Sequence, residues 1–92
     1  MVTTLFFTVR GRVQGVGFRY SARRAAQSLG VFGWIRNCEN GDVEGGLQGG
    51  RDAVEAMVRW LESGPPSARV AGVDVSTPKT IEQDFSDFQI IR

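Results

Sequence analysis

The chain has 92 residues, of which 41% are apolar and 10% aromatic, and its formal net charge is +1. This length provides for one small domain with one core, and the apolar content is typical of a folded globule rather than a disordered segment. A net charge this close to zero excludes a global positive field that would attract nucleic acid or an anionic membrane, so any anion binding must be local.

The chain has no histidine and a single cysteine, Cys38. Without histidine there is no Ser-His-Asp or Cys-His arrangement, no imidazole general base and no Cys/His zinc cluster. One cysteine excludes an internal disulfide and fits a reducing compartment. The apolar runs are too short to span a bilayer and no signal-peptide pattern is visible, so we expect a cytoplasmic protein without membrane contact.

The N-terminal part predicts a strand, a loop and a helix. Residues 5–10 place apolar side chains at alternate positions, which predicts a strand with one apolar face, ended by Gly11. A glycine-containing loop leads into a helix over residues 18–29, which Gly30 ends. The predicted buried stripe of this helix consists of Phe18, Ala22, Ala25, Ala26 and Leu29.

The next segment predicts a hairpin. Residues 31–37 form a strand, residues 37–41 a turn with Asn40-Gly41 as its sharpest signal, and residues 42–48 a third strand. Phe6, Phe32 and Trp34 have the strand parity opposite to the core, which indicates a partly exposed apolar strip or a weak self-association surface.

The C-terminal half predicts a second helix and two extended segments. Residues 51–62 form the helix, which Gly64-Pro65-Pro66 ends, and residues 70–76 form a fourth strand. Residues 79–84 are predicted to be a polar connection, and residues 85–91 a last extended segment. The buried stripe of this helix is predicted to contain Val54, Met57, Val58 and Leu61.

This order of elements predicts a ferredoxin-like α+β fold. The pattern β-α-β-β-α-β, plus a short C-terminal strand, is that of a split βαβ sandwich with an antiparallel sheet of four strands. Right-handed crossovers place both helices on one face of the sheet. No linker or repeat interrupts the pattern, so we expect residues 1–92 to be a single domain.

The loop Gly11–Arg19 has the chemistry of an anion cradle. Its glycines let backbone N–H groups approach a ligand, a helix N-terminus follows at once, and Arg19 adds a guanidinium that can bind two oxygens of a phosphate. The loop lacks the Gly-Lys-Ser/Thr of a Walker A motif, and the third glycine of a dinucleotide fingerprint would fall at Tyr20. The alternatives are a plain strand-to-helix turn and an Arg19 that only forms a surface ion pair.

Two stretches resemble the signatures of the acylphosphatase family. Val9–Arg19 resembles the first, and Gly33–Val43, continuing to Gly49, resembles the second; Ile35 stands where the family usually has Val or a smaller residue. The resemblance implies an acylphosphatase, which hydrolyses the carboxyl–phosphate bond of acyl phosphates without a metal or an organic cofactor.

The resemblance also implies roles for individual residues. Arg19 would bind the phosphate, and Asn37 would orient the attacking water. Phosphate oxygens would be held by the loop N–H groups of Gln14, Gly15, Val16, Gly17 and Phe18. Because such a reaction depends mostly on positioning and on donors aimed at the equatorial oxygens, a site without histidine is reasonable. We expect in-line attack on phosphorus, with the water proton passing to a substrate oxygen.

Three other functions are compatible with this architecture. An RNA-recognition module would stack bases on aromatics of the third strand, and residues 42–48 contain none. The chain could instead serve a larger maturation enzyme that acts on carbamoyl phosphate, or have a regulatory role through protein interaction. The expected partner is a small-molecule acyl phosphate, with no nucleic acid, and the expected state is a monomer.

Overall fold

The computed structural model describes residues 1–92 and contains six strands and two helices. The predicted order β-α-β-β-α-β is confirmed. No helix combines the length and the hydropathy needed to cross a membrane. In chain order the elements are β1 (Val2–Arg12), α1 (Phe18–Leu29), β2 (Phe32–Asn37), β3 (Val43–Gly49), α2 (Arg51–Ser63), β4 (Arg69–Val75), β5 (Lys79–Ile81) and β6 (Phe88–Ile91).

The strands form one mixed open sheet in the order β4-β1-β3-β2-β6. The four strands β4, β1, β3 and β2 pair antiparallel with one another, as predicted. The short C-terminal strand β6 joins the edge of the sheet parallel to β2. Both helices pack on the sheet and contribute to one core, so the fold is the expected ferredoxin-like α+β sandwich.

Gly11 does not end the first strand, contrary to the prediction. Strand β1 continues to Arg12, and its register against β4 shifts between Arg10 and Gly11. Gly11 has a φ of 127°, and a Cβ there would collide with the carbonyl oxygen of Arg69. The glycine therefore marks a bulge where the two backbones come unusually close, not the end of the strand.

The polar connection predicted for residues 79–84 is wrong for its first three residues. Lys79–Ile81 forms β5, which pairs antiparallel with residues 2–4 of β1. The pairing of β4 with β1 stops at Phe7, so the N-terminal half of that edge is free to accept another strand. Backbone pairing at an open edge does not require an apolar pattern, which is why the sequence does not reveal it.

A core of 15 buried apolar residues lies between the helices and one face of the sheet. From α1 the core receives Phe18, Ala22 and Ala26, and from α2 it receives Val54, Met57 and Leu61. The sequence also predicts a buried Leu29, and this is wrong, because Leu29 is exposed. The ring of Phe18 meets Trp60 edge to face at 5.5 Å, which links the start of α1 to α2.

Candidate active site

The loop between β1 and α1 is flanked by two buried side chains that anchor its ends. Val13 and Phe18, on either side of it, are each 1% exposed. Burying a side chain of this kind contributes roughly 1.5–3 kcal/mol, so both ends of the loop are held firmly. The four residues between the anchors are therefore fixed in place at the edge of the core.

Left-handed backbone conformations shape the loop. Gly15 and Gly17 have φ values of 74° and 75°, and a Cβ at either position would meet no atom within 4 Å. Glycine is therefore required there for its backbone conformation and not for lack of space. Gly17 is the N-cap of α1 and no side chain caps this helix, so the first N–H groups of α1 have no side-chain acceptor.

Three side-chain hydrogen bonds hold the loop against its neighbours. The Nε2 atom of Gln14 donates to the carbonyl oxygens of Cys38 at 2.7 Å and Asp42 at 2.9 Å, both in the turn between β2 and β3. On the other side, Ser67 Oγ donates to the carbonyl oxygen of Val16 at 2.8 Å. The loop is thus tied both to the hairpin turn and to the connection between α2 and β4.

A cavity of about 250 Å³ opens where this loop meets the end of β2. It brings together Arg19 and Asn37 from the two signature stretches, together with three of the predicted loop residues. Gln14 and Val16, also predicted for the site, do not line it. The lining consists of Val13, Gly15, Gly17, Phe18, Arg19, Tyr20, Asn37, Ile90 and Arg92.

Four lining residues were not foreseen from the sequence. Tyr20 is 59% exposed, and its place directly after Arg19 is the one signal in the sequence that could have pointed to it. Ile90 and Arg92 reach the cavity because β6 pairs in parallel with β2, where Ile90 lies opposite Ile35. No local pattern in the sequence indicates that pairing. The fourth, Val13, is the buried anchor before the loop.

The cavity is electropositive. Its lining residues include Arg19 and Arg92 and no Asp or Glu side chain. Arg19 takes part in none of the protein's ion pairs, which are Arg10–Asp74, Arg36–Glu44 and Arg51–Glu55. Its charge is therefore available to a bound anion.

Asn37 carries an unsatisfied acceptor at the same cavity. Its Oδ1 atom is shielded from solvent and has no hydrogen-bond partner. An orphaned polar atom of this kind costs about 1–3 kcal/mol, so its retention is not explained by stability. The amide is an acceptor that a correctly placed donor, such as a water molecule, can satisfy.

The turn after Asn37 is rigid and offers no nucleophile. Cys38 N donates to the carbonyl oxygen of Asp42 at 2.8 Å, and Asn40 Oδ1 accepts from Asp42 N at 3.0 Å. Burial, and then the negative charge of Glu44, raise the pKa of the Cys38 thiol. The thiol therefore stays protonated at neutral pH. No group of three or more His, Cys, Asp or Glu side chains is placed to hold a metal ion.

Comparison with known proteins identifies what this arrangement resembles. The family model Acylphosphatase matches residues 5–90. An acylphosphatase of Thiobacillus denitrificans is 49% identical over 86 residues, which are 94% of this chain and 93% of that protein. A solved acylphosphatase from Coxiella burnetii is 40% identical with a TM-score of 0.90, covering 98% of this chain and 93% of the other. One from Bacillus subtilis is 31% identical with a TM-score of 0.91, covering 98% and 99%.

Proposed function

From the premise that this chain belongs to the acylphosphatase family and is an enzyme that hydrolyses acyl phosphates, we propose that the reaction takes place in the cavity between the β1–α1 loop and Asn37. One observation carries the proposal. Arg19, which is in no ion pair, the uncapped N-terminus of α1 and Asn37, whose amide oxygen has no hydrogen-bond partner, all line a single cavity.

The phosphoryl group is held by Arg19 and by the loop. The guanidinium of Arg19 binds two of its oxygens, and the remaining negative charge faces the N-terminus of α1. The proposed donors to these oxygens are the backbone N–H groups of the loop, Gln14, Gly15, Val16, Gly17 and Phe18, of which Gly15, Gly17 and Phe18 line the cavity. Because these groups are fixed by the buried anchors, they stabilise the charge that spreads over the equatorial oxygens without reorganising.

Asn37 places the nucleophile. Its Oδ1 atom accepts a hydrogen bond from a water molecule, which satisfies the orphaned acceptor and aims the water oxygen at phosphorus. The new bond forms between that oxygen and phosphorus while the bond from phosphorus to the carboxylate oxygen breaks. The bonding pair leaves with the carboxylate, and one water proton passes to a phosphoryl oxygen of the substrate.

The reaction needs neither a metal ion nor a protein base. A carboxylate is a good leaving group, so no strong general acid is required. The lining residues include no Asp, Glu, His or Cys, whose side chains are the usual ligands of a catalytic cation. We therefore expect hydrolysis of benzoyl phosphate to proceed at an unchanged rate in a metal chelator, and a loss of activity in the chelator would contradict metal independence.

Replacing the phosphate-binding arginine tests the cradle. We expect Arg19→Gln to lower kcat/KM for benzoyl phosphate by about 10²–10³-fold, the usual effect of removing one preorganised donor to a developing charge. Arg24→Gln is the matched control, because Arg24 is an exposed residue of the same helix and its loss changes the net charge equally. Equal activity in the two variants, both shown to be folded by circular dichroism, would sink the assignment of Arg19.

Removing the amide tests the placement of water. We expect Asn37→Ala to lower kcat by about 10²-fold or more. The inhibition constant of inorganic phosphate should stay near the parent value, because the cradle is intact. Hydrolysis in water labelled with oxygen-18 should put the label into phosphate, and label found in the carboxylic acid would refute attack at phosphorus.

A further inference from the structure

We propose that the side chain of Gln14 is a positioning residue that locks Asn37 against the phosphate loop. The inference rests on the role of Asn37 proposed above. It concerns the side chain of Gln14, which is separate from the backbone N–H group of the same residue. The side chain does not line the cavity, so its effect on the reaction is exerted through the hairpin turn that follows Asn37.

Both hydrogens of one amide nitrogen are used for this contact. Gln14 Nε2 donates to the carbonyl oxygen of Cys38 at 2.7 Å and to that of Asp42 at 2.9 Å, in a half-buried setting. The two carbonyls stand at the two ends of the turn. A single side chain from the phosphate loop therefore clamps the whole turn from outside.

The turn does not need Gln14 to satisfy its own backbone. The carbonyl of Cys38 already accepts from Gly41 N at 3.2 Å, and the carbonyl of Asp42 already accepts from Cys38 N at 2.8 Å. The two bonds from Gln14 are thus additional to a turn that is closed on its own. Their effect is to link two segments, not to complete one of them.

No other hydrogen bond joins these two segments. The third side-chain bond of the loop runs from Ser67 to Val16 and leads away from Asn37. The Cys38 peptide directly follows Asn37, and Gln14 directly precedes Gly15, which lines the cavity. The clamp therefore fixes the distance between the group that orients water and the group that holds phosphate.

Two substitutions of Gln14 with different chemistry distinguish the loss of its hydrogen bonds from a change in the size of its side chain. Gln14→Met keeps the length of the side chain and removes both donors, so we expect kcat for benzoyl phosphate to fall by about tenfold to hundredfold, as a small misplacement of a reacting group does. The inhibition constant of inorganic phosphate should change by less than about twofold, because the backbone donors and Arg19 are untouched.

The second substitution, Gln14→Glu, makes the clamp depend on pH, so that its broken and restored forms can be compared in the same protein. The ionised carboxylate has no proton to donate and faces two carbonyl oxygens, so it breaks the clamp and its pKa lies above the ordinary value of about 4.3. When it is protonated, one O–H donor returns. We therefore expect the ratio of variant to parent kcat to rise as pH falls through this pKa, whereas the ratio for Gln14→Met stays flat.

A double-mutant cycle identifies the residue through which Gln14 acts. If Gln14 works through Asn37, Gln14→Met should cause no further loss of kcat in the Asn37→Ala background. Ser67→Ala, which removes the other side-chain bond of the loop, is the control, and its effect should add to that of Asn37→Ala. A parent-like kcat in Gln14→Met, or additive losses with Asn37→Ala, would overturn the inference. Neither result would touch the proposed function, which fails instead if Asn37→Ala alone retains parent activity.

Discussion

Gly17 and Gly30 flank α1 and adopt almost the same left-handed conformation, with φ values of 75° and 73° and no atom near the missing Cβ of either. A non-glycine residue in this conformation costs roughly 1–2 kcal/mol. We therefore expect Gly17→Ala and Gly30→Ala to lower the free energy of unfolding, measured with urea, by similar amounts. Only Gly17→Ala should also weaken inhibition by inorganic phosphate, because it alone lies in the cavity wall. An unchanged phosphate affinity would contradict the role of the loop.

For individual residues, the sequence predicts those that carry out the chemistry better than those that hold them in place. Arg19 and Asn37 stand in two stretches long enough to be recognised by their residues alone, and the structure brings both to one cavity. The clamp formed by Gln14 is invisible in the sequence, since it joins residues 24 and 28 positions apart, with α1 and β2 between them. The sequence likewise does not reveal that Arg92 lies at the site, because only the pairing of β6 with β2 brings it there.

At the scale of elements, one buried side chain joins β3 to the segment between β5 and β6. Gln48 is fully buried, and its Nε2 atom donates to Thr4 Oγ1 at 2.8 Å and to Asp84 Oδ1 at 2.6 Å. Its Oε1 atom accepts from the backbone N–H groups of Asp84 and Phe85 at 2.9 and 2.8 Å. The amide thus uses its full capacity of two donors and two acceptors.

We expect Gln48→Met to lower the free energy of unfolding by about 2–4 kcal/mol, because each buried partner left unsatisfied costs about 1–3 kcal/mol. The backbone amides of Asp84 and Phe85 should also exchange their hydrogens faster. Gln89→Met is a suitable control, since Gln89 is exposed, and it should change stability by less than about 0.5 kcal/mol. Equal stability of the two variants would show that the network does not hold this segment.

The helices follow the sequence closely, whereas β1 and β5 depart from it and β6 begins at Phe88, three residues later than the predicted extended segment 85–91. Helix α1 has the predicted bounds and α2 is one residue longer, because a 3.6-residue period and terminal glycines are local signals. Strand β5 has three residues and no apolar pattern, and it exists only because β4 leaves part of the β1 edge uncovered. The bulge at Gly11 likewise depends on the approach of Arg69, far away in the chain.

For the molecule as a whole, the net charge is only +1, so the positive charge at the cavity is a local feature and not part of a general positive surface. A phosphate ion that binds only the folded state stabilises it by about 2.7 kcal/mol at one hundred times its dissociation constant. We therefore expect inorganic phosphate to raise the Tm of the parent and of Arg24→Gln, measured by calorimetry at constant ionic strength. It should not raise the Tm of Arg19→Gln, and an equal rise in all three proteins would mean that phosphate binds elsewhere.

Strand β1 is the first strand of this chain to be synthesised, yet all three of its partner strands come later, and Val2 pairs with Ile81. A chain emerging from the ribosome therefore holds β1 without a partner until β3 follows, and cannot complete its sheet until nearly all residues are out. Non-local pairing of this kind slows folding, and a strand edge that has not yet been paired can form hydrogen bonds with another chain. The sheet of this protein can therefore close only after β5 and β6 have been synthesised, and until then the edges of β1 are its most exposed pairing surface.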